Sequence, residues 1–345
     1  MGKFMIAQAQ IKEIYGRLQD ELSLKIFENS LLYSLTDNIK HIVEMVYGSE
    51  DKWNFLYGYH NVIIYGVGEM AKYYSKYYDT INITAFCDKD DNKQKKLFCG
   101  YKVISPEELT KKYSDHVIAI TLKDDKLITE VTKYLLKSGF SENQIFALKK
   151  DFGKQYFDID ILGCPNPNYE IFIDAGCFDG ASSIDFIKWC SDSYKKIIAF
   201  EPDSKQHPIC IENLKDMRNT VIHPYGLWNE NTELSFDNVT GMPGSACISD
   251  SSENTIKIKT VKLDDIVLGD DITFIKMDVE GAELNALKGA EQTILKYRPK
   301  LAICVYHKPE DIWEIPTYIL SLHKSYKLYL RRYGCNGTET VLYAV

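Results

Sequence analysis

The sequence predicts an α/β protein: two doubly wound units, each a mostly parallel sheet with helices on its faces, behind an N-terminal helical arm. Three observations carry that reading. Short apolar runs of strand length alternate with helical stretches from about residue 58 to the end. Two of these runs pass into a glycine turn that opens a helix, "VIIYGVGEMA" (Val62 to Ala71) and "IFIDAGCFDG" (Ile171 to Gly180). Between them "CPNPNYE" (Cys164 to Glu170) breaks both periodicities with two prolines and two asparagines. The expected segments are a helical arm over 1–57, a small Rossmann-like domain over 58–150 and a second domain over 165–345.

The arm comes first. "IKEIYGRLQDELSLKIFENSLL" places Ile14, Leu18, Leu22, Ile26 and Leu31 four or five residues apart, which predicts an amphipathic helix. It carries no catalytic constellation, so scaffold or homodimer contact is expected of it. In the small domain, Val62 to Tyr65 form a strand and Gly66, Gly68 and Ala71 a GxGxxA turn. "INITAFCD" gives a second strand ending in Asp88. "YKVISPEEL" gives a third, with Pro106 opening a helix, and "HVIAITL" and "NQIFAL" supply two more. After the break, strands are expected at Ile171 to Asp174, Lys196 to Phe200, Thr220 to His223, Phe274 to Met277 and Lys300 to Tyr306. Helices follow from about Ser182 and Pro208, at Glu283 to Lys296 and near Trp313 to His323. The closing strands, Lys327 to Arg331 and Thr340 to Ala344, read as an antiparallel pair. Residues 229–260, with "GMPGS" at their centre, read as a mobile specificity element.

The totals exclude several classes. The chain has 345 residues, 45% hydrophobic and 26% charged, which is an ordinary globular composition. A formal net charge of -8 argues against a nucleic-acid surface. No apolar run approaches the roughly 18 residues of a membrane span, and the start shows no apolar leader. The nine cysteines are scattered without a CxxC pair. Neither a zinc ribbon nor a disulfide framework is expected, and a reducing cytoplasm is the default. Each cysteine reads as a small buried hydrophobe.

Both glycine turns suit a nucleotide at a helix N-terminus. Asp88 lies 20 positions after Gly68, and Glu201 lies 21 after Gly180, each placed to accept hydrogen bonds from ribose hydroxyls. Charge separates the two turns. "FIDAGCFDG" carries Asp174 at the strand end and Asp179 inside the turn, and like charges disfavour a diphosphate there. S-adenosylmethionine has no phosphate and brings a positive sulfonium and ammonium. The second turn therefore fits S-adenosylmethionine better than a dinucleotide.

"FIKMDVEGAE" (Phe274 to Glu283) holds the candidate chemistry. Alternation puts Lys276 and Asp278 on one side of the strand, with Asp278 at its carboxyl end, where open α/β sheets bind ligands. "AICVYHK" brings Tyr306 and His307 to the same edge. His307 has a pKa suited to a base, with Asp278 or Glu280 to orient it or act in its place. Structural roles compete. Asp278 could cap the next helix, Glu283 could favour its dipole, and Lys276 could be a buried ion-pair partner. The acids with His307 could also ligate Mg²⁺, though no metal site is assigned. Of Arg331 and Arg332, at most one would face a substrate phosphate or carboxylate.

In this order, "IFIDAGCFDGASS", "IIAFEPD", "VKLDDI" and "FIKMDVEGAEL" resemble the FkbM family of S-adenosylmethionine-dependent methyltransferases, over about residues 169–345. The resemblance implies a class I methyltransferase domain and methylation of a hydroxyl on a sugar, glycan or similar small molecule. Its cofactor positions correspond here to Asp174, Gly176 and Gly180 with Glu201 and Pro202. Cys177, Phe178 and Asp203 belong to the same two turns, although Cys177 and Phe178 depart from the family's usual Ala-Asn pair. The small domain is similar to units found beside sugar-modifying domains. Two alternatives stand: an NAD-linked sugar-modifying enzyme using Gly66 and Gly68, and a non-catalytic assembly protein.

Overall fold

A computed structural model describes residues 2–36, 38, 41, 56, 59–75, 78, 81–122, 124–147, 155–237, 247–248, 255–267, 269–333 and 339–345. These divide into two compact units. Residues up to Leu31 belong with those from 155 onward, and residues 32–147 form the other unit. The rest of the arm expected over 1–57 lies largely outside the described residues, as does "GMPGS".

Helices Gly2–Tyr15 and Glu21–Thr36 lead the chain. Asp20 opens the second by accepting the Ser23 N–H at 2.8 Å. The small unit is one six-stranded sheet. Its strands are β1 (Val62–Tyr65), β2 (Ile83–Cys87), β3 (Leu97–Phe98), β4 (Tyr101–Ile104), β5 (Val117–Ile120) and β6 (Ile145–Ala147), in the order β3-β4-β2-β1-β5-β6. All neighbours are parallel except the β3–β4 hairpin at one edge. Every residue of β1 and β5 is buried, which is why "VIIY" and "VIAI" read as unbroken apolar runs.

The other unit holds a seven-stranded sheet. Its members are β7 (Ile171–Ala175), β8 (Lys196–Phe200), β9 (Thr220–His223), β14 (Phe274–Met277), β15 (Lys300–Cys304), β16 (Leu328–Arg332) and β17 (Thr340–Ala344). The order is β16-β17-β15-β14-β7-β8-β9, with only β17 running antiparallel to its neighbours. This is the mostly parallel, class I methyltransferase arrangement with an antiparallel last strand. Phe172 stacks on Phe186 of helix Ala181–Trp189 with ring centroids 4.4 Å apart, and Phe157 and Phe274 close the same core. A second sheet joins β10 (Gly226–Leu227), β11 (Thr232–Asp237), β12 (Cys247–Ile248) and β13 (Thr255–Val261) in the order β10-β13-β11-β12.

Four expectations need correction. The helix expected over Glu283 to Lys296 is two, Glu283–Lys288 and Glu291–Tyr297. They part at Gly289, where a Cβ would overlap the Trp228 carbonyl oxygen. Strand β15 ends at Cys304, so Tyr306 and His307 stand on the loop beyond it. Cys99 and Cys164 are exposed rather than buried. Arg331 is engaged within the protein instead: it binds Asp20 at 2.8 Å and faces Asp158 at 3.8 Å, fastening β16 to the arm. There Gln19 N–H donates to Leu328 O at 3.1 Å and Leu330 N–H to Ser23 Oγ at 2.9 Å.

Candidate active site

Strand register brings the chemistry to one edge. Ala175 pairs with Phe200 on one side and Met277 on the other. The residues that follow them, Gly176, Glu201 and Asp278, therefore emerge side by side at the carboxyl ends. They border a cavity of about 420 Å³, within the range of about 300–1,000 Å³ typical of small-molecule and cofactor sites. Phe178, Pro202, Asp203, Glu280, Tyr306 and Glu339 line it too, and Tyr225, Trp228, Leu234 and Ile258 add an aromatic and aliphatic wall.

Of the residues expected around a cofactor, Gly176, Phe178, Glu201, Pro202 and Asp203 reach the cavity, whereas Asp174, Cys177 and Gly180 do not. Asp174 is wholly buried and fully engaged. It accepts Ser182 Oγ–H at 2.6 Å and Ser183 Oγ–H at 2.7 Å, and pairs with Lys276 Nζ at 3.0 Å. Lys276 also donates to Gly176 O at 2.6 Å, so its ammonium clamps the turn from beneath. Burial pulls Lys276 down, but Asp174 and Asp278 outweigh it and hold the group charged. Lys276 thus sits outside the cavity, as the buried ion-pair partner of Asp174. Gly176 has φ +72°, and a Cβ there would overlap the Asp278 carbonyl oxygen. At Gly180 a Cβ would come within 2.9 Å of Leu214 Cγ. Both glycines are required by the protein's own packing. Asp179 accepts the Ala181 N–H at 3.0 Å in an Asx turn ahead of the helix, whose N-cap is Gly180. Cys177 Sγ lies 3.1 Å from Cys210 Sγ in a buried cluster behind the turn.

Glu201 is the carboxylate that remains presented. Phe178 N–H donates to its Oε2 and Asp203 N–H to its Oε1, each at 2.8 Å, so both oxygens are fixed at the cavity wall. Burial raises it to about 7, against the pull of those two amides.

Asp278 does not cap a helix, because the next helix begins only after Ala282. Instead it accepts Tyr156 O–H at 2.7 Å and Tyr306 O–H at 3.3 Å. Burial would raise its carboxyl, but Lys276 and His307 hold it below the usual range. Glu280 follows in the left-handed region at φ +53°, a conformation that costs on the order of 1 kcal/mol or more for a non-glycine residue. Burial lifts it to about 7. His307 completes the group. Its Nε2 lies 3.5 Å from Asp278 Oδ1 and 3.4 Å from Glu280 Oε2, and its Nδ1 lies 2.9 Å from Oε1 of the fully buried Glu283. Burial works against its charged form, yet the Glu283 carboxylate, with Asp278 and Glu280, pushes it up to about 9. Sequence reasoning thus brought Asp278, Glu280 and His307 to this edge. It missed Tyr156 and Glu339, which carry no local signal, and underread Glu283.

In the small unit, Asp88 Oδ2 accepts Val67 N–H at 2.8 Å and pairs with Lys93 Nζ at 2.9 Å. A Cβ at Gly66 would come within 2.7 Å of Leu122, and the helix opened by this turn runs only Glu69–Tyr73.

Comparison with known proteins agrees with the architecture. No curated protein matches the chain. The Methyltransferase FkbM from Methylobacillus flagellatus KT aligns over 90% of this chain and 100% of its own, at 18% identity and a TM-score of 0.52, a likeness of fold. An rRNA methylase from Streptococcus thermophilus aligns over 54% of this chain and 90% of its own, at 20% identity and a TM-score of 0.35. A SAM-dependent methyltransferase from Aquifex aeolicus aligns over 56% and 92%, at 14% identity and a TM-score of 0.32. Residues 58–146 match the family model described as C2185-like, N-terminal. Residues 174–335, which contain β8, β9, β14, β15, β16 and the end of β7 but not β17, match the model described as Methyltransferase FkbM domain, so this segment of the second unit is similar to the FkbM methyltransferases.

Proposed function

We propose that this chain binds S-adenosylmethionine and methylates a hydroxyl of a sugar, glycan or related polyhydroxylated small molecule. The observation that carries the reading is the charge of the cavity. Five carboxylates line it, Glu201, Asp203, Asp278, Glu280 and Glu339, and among the described residues no lysine or arginine does. Such a wall suits a cofactor with a sulfonium and an ammonium, and it opposes a diphosphate. The residues present fit that cofactor: Glu201 has both oxygens fixed at the second strand's end, ready for ribose hydroxyls, and Phe178 and Trp228 offer flat apolar surface. When bound, S-adenosylmethionine supplies the electrophilic methyl group.

The chain's own residues then have the task of holding the acceptor and receiving its proton. Asp278 and His307 are the candidate pair, with Glu280 beside them. The tyrosines Tyr156 and Tyr306 fix the Asp278 carboxylate. His307, charged at neutral pH, balances the negative wall rather than starting as a free base, so a neighbouring carboxylate is the group that takes the proton. The acid-rich lining favours neutral acceptors over sugar nucleotides. Calorimetry with S-adenosylhomocysteine tests the cofactor; absence of binding at high micromolar concentration would sink the reading. Mass spectrometry with labelled S-adenosylmethionine and pooled glycans and sugar nucleotides tests the acceptor, and label on neutral sugars is expected.

A further inference from the structure

We infer that Asp278, Glu280 and His307 Nε2 form a binding site for one first-row divalent cation. Among the described residues these three bring one ligand atom each to within 4.8 Å of one another. The separations have a particular size. His307 Nε2 stands 3.4 Å from Glu280 Oε2 and 3.5 Å from Asp278 Oδ1, too far for hydrogen bonds. Metal–ligand bonds of about 2.0–2.2 Å at angles of about 90–110° separate neighbouring ligands by about 3.0–3.5 Å. Both separations from His307 Nε2 thus have the length of a coordination polyhedron's edge.

A second observation is independent of the carboxylates. The His307 side chain is only 9% exposed, and neither ring nitrogen has a well-aligned hydrogen-bond partner. A buried polar ring ordinarily finds such partners. Its Nδ1 faces the buried Glu283, which Val279 N–H holds in place at 2.9 Å. An entering cation displaces the Nε2 proton, while the Nδ1 proton stays directed at that carboxylate and the freed Nε2 lone pair faces Asp278 and Glu280. Metal-bound histidines are commonly oriented by such a carboxylate. Tyr156 and Tyr306 fix the Asp278 oxygens in the same way.

The donor set narrows the ion. One imidazole nitrogen with two carboxylate oxygens suits Mn²⁺, Fe²⁺ or Zn²⁺ better than Ca²⁺, which takes oxygen ligands alone. The site opens on the cavity, so positions remain for water or an acceptor oxygen. It rests on the same cluster as the proposed methyl transfer but needs neither cofactor nor acceptor to be tested.

The experiment is Mn²⁺ titration of chelator-stripped full-length protein, followed by calorimetry and electron paramagnetic resonance. We expect one saturable site tighter than about 1 mM, with hyperfine coupling to one imidazole nitrogen. Glu280→Gln should weaken it at least tenfold, and His307→Gln should abolish the nitrogen coupling. No saturable binding, or a bound ion without nitrogen coupling in the unaltered protein, overturns the site without any variant having to fold. Binding that survives Asp278→Asn with His307→Gln also overturns it. S-adenosylhomocysteine affinity, measured on the stripped protein, reports separately on the methyltransferase reading.

Discussion

Tyr156 donates a 2.7 Å hydrogen bond to Asp278 Oδ2 across 122 positions of the chain. The tyrosine lies ahead of the first strand of the methyltransferase sheet, its own N–H donates to Tyr343 O–H at 3.0 Å, and its ring lies 5.2 Å from Lys276 Nζ. A residue outside the matched family segment therefore holds a central acid of the site. Tyr156→Phe keeps the ring and removes the donor. Leaving a buried charged acceptor short of a partner costs about 1–3 kcal/mol. Urea unfolding followed by tryptophan fluorescence should show that loss, while S-adenosylhomocysteine affinity changes less than about twofold, because Tyr156 does not line the cavity. An unfolding curve identical to the parent's would show that the bond contributes nothing.

Lys276 and Asp174 are paired at 3.0 Å with almost no exposure, directly opposite each other in the β7–β14 register. Removing one partner of such a pair leaves an uncompensated buried charge, at about 3–5 kcal/mol. Lys276→Met should destabilise the unit by that order. Asp174→Asn combined with Lys276→Met should recover part of the loss, since neither member of the pair is then left charged without the other. Denaturant midpoints of the single and double variants decide it: strictly additive losses would mean the two groups are not energetically coupled.

This pair also shows what was legible in the sequence. The strands were, because parallel strands buried on both faces read as continuous apolar runs. The clustering of Asp278, Glu280 and His307 was legible too, since each follows a strand whose carboxyl end has one place to go. Asp174 was only half legible. Its charge suggested contact with a positive ligand, but register assigns it Lys276 and two serines instead. Tyr156, Glu339 and the burial of Glu283 depend on long-range packing that no local spacing encodes.

Gly176 tests the turn's geometry without touching any charge. It combines φ +72° with an approach to the Asp278 carbonyl that excludes a Cβ. Gly176→Ala must shift the β14 exit, on top of the roughly 1 kcal/mol conformational cost of the left-handed region. We expect at least a tenfold loss of S-adenosylhomocysteine affinity and a lowered unfolding midpoint. Gly100→Ala, at a positive φ with open space around the missing Cβ, is the control for conformational cost alone. Equal losses in the two variants would remove the packing argument.

Glu201 yields a pH dependence. Burial raises its carboxyl to about 7, so near neutrality the group is divided between its two forms. Charge-assisted hydrogen bonds from ribose hydroxyls favour the ionised form. Apparent affinity scales with the fraction of protein in the competent state. With a midpoint near 7, that fraction rises about tenfold between pH 6 and pH 8, so S-adenosylhomocysteine should bind about tenfold more tightly at the higher value. The sign follows from the ligand preferring the deprotonated group, since protons compete below the midpoint. Glu201→Gln, which cannot ionise, should bind more weakly at pH 8 and show a flat profile over this range. Calorimetry at both pH values separates the outcomes. A parent profile that is flat, or that weakens with rising pH, would mean that Glu201 does not receive the ribose.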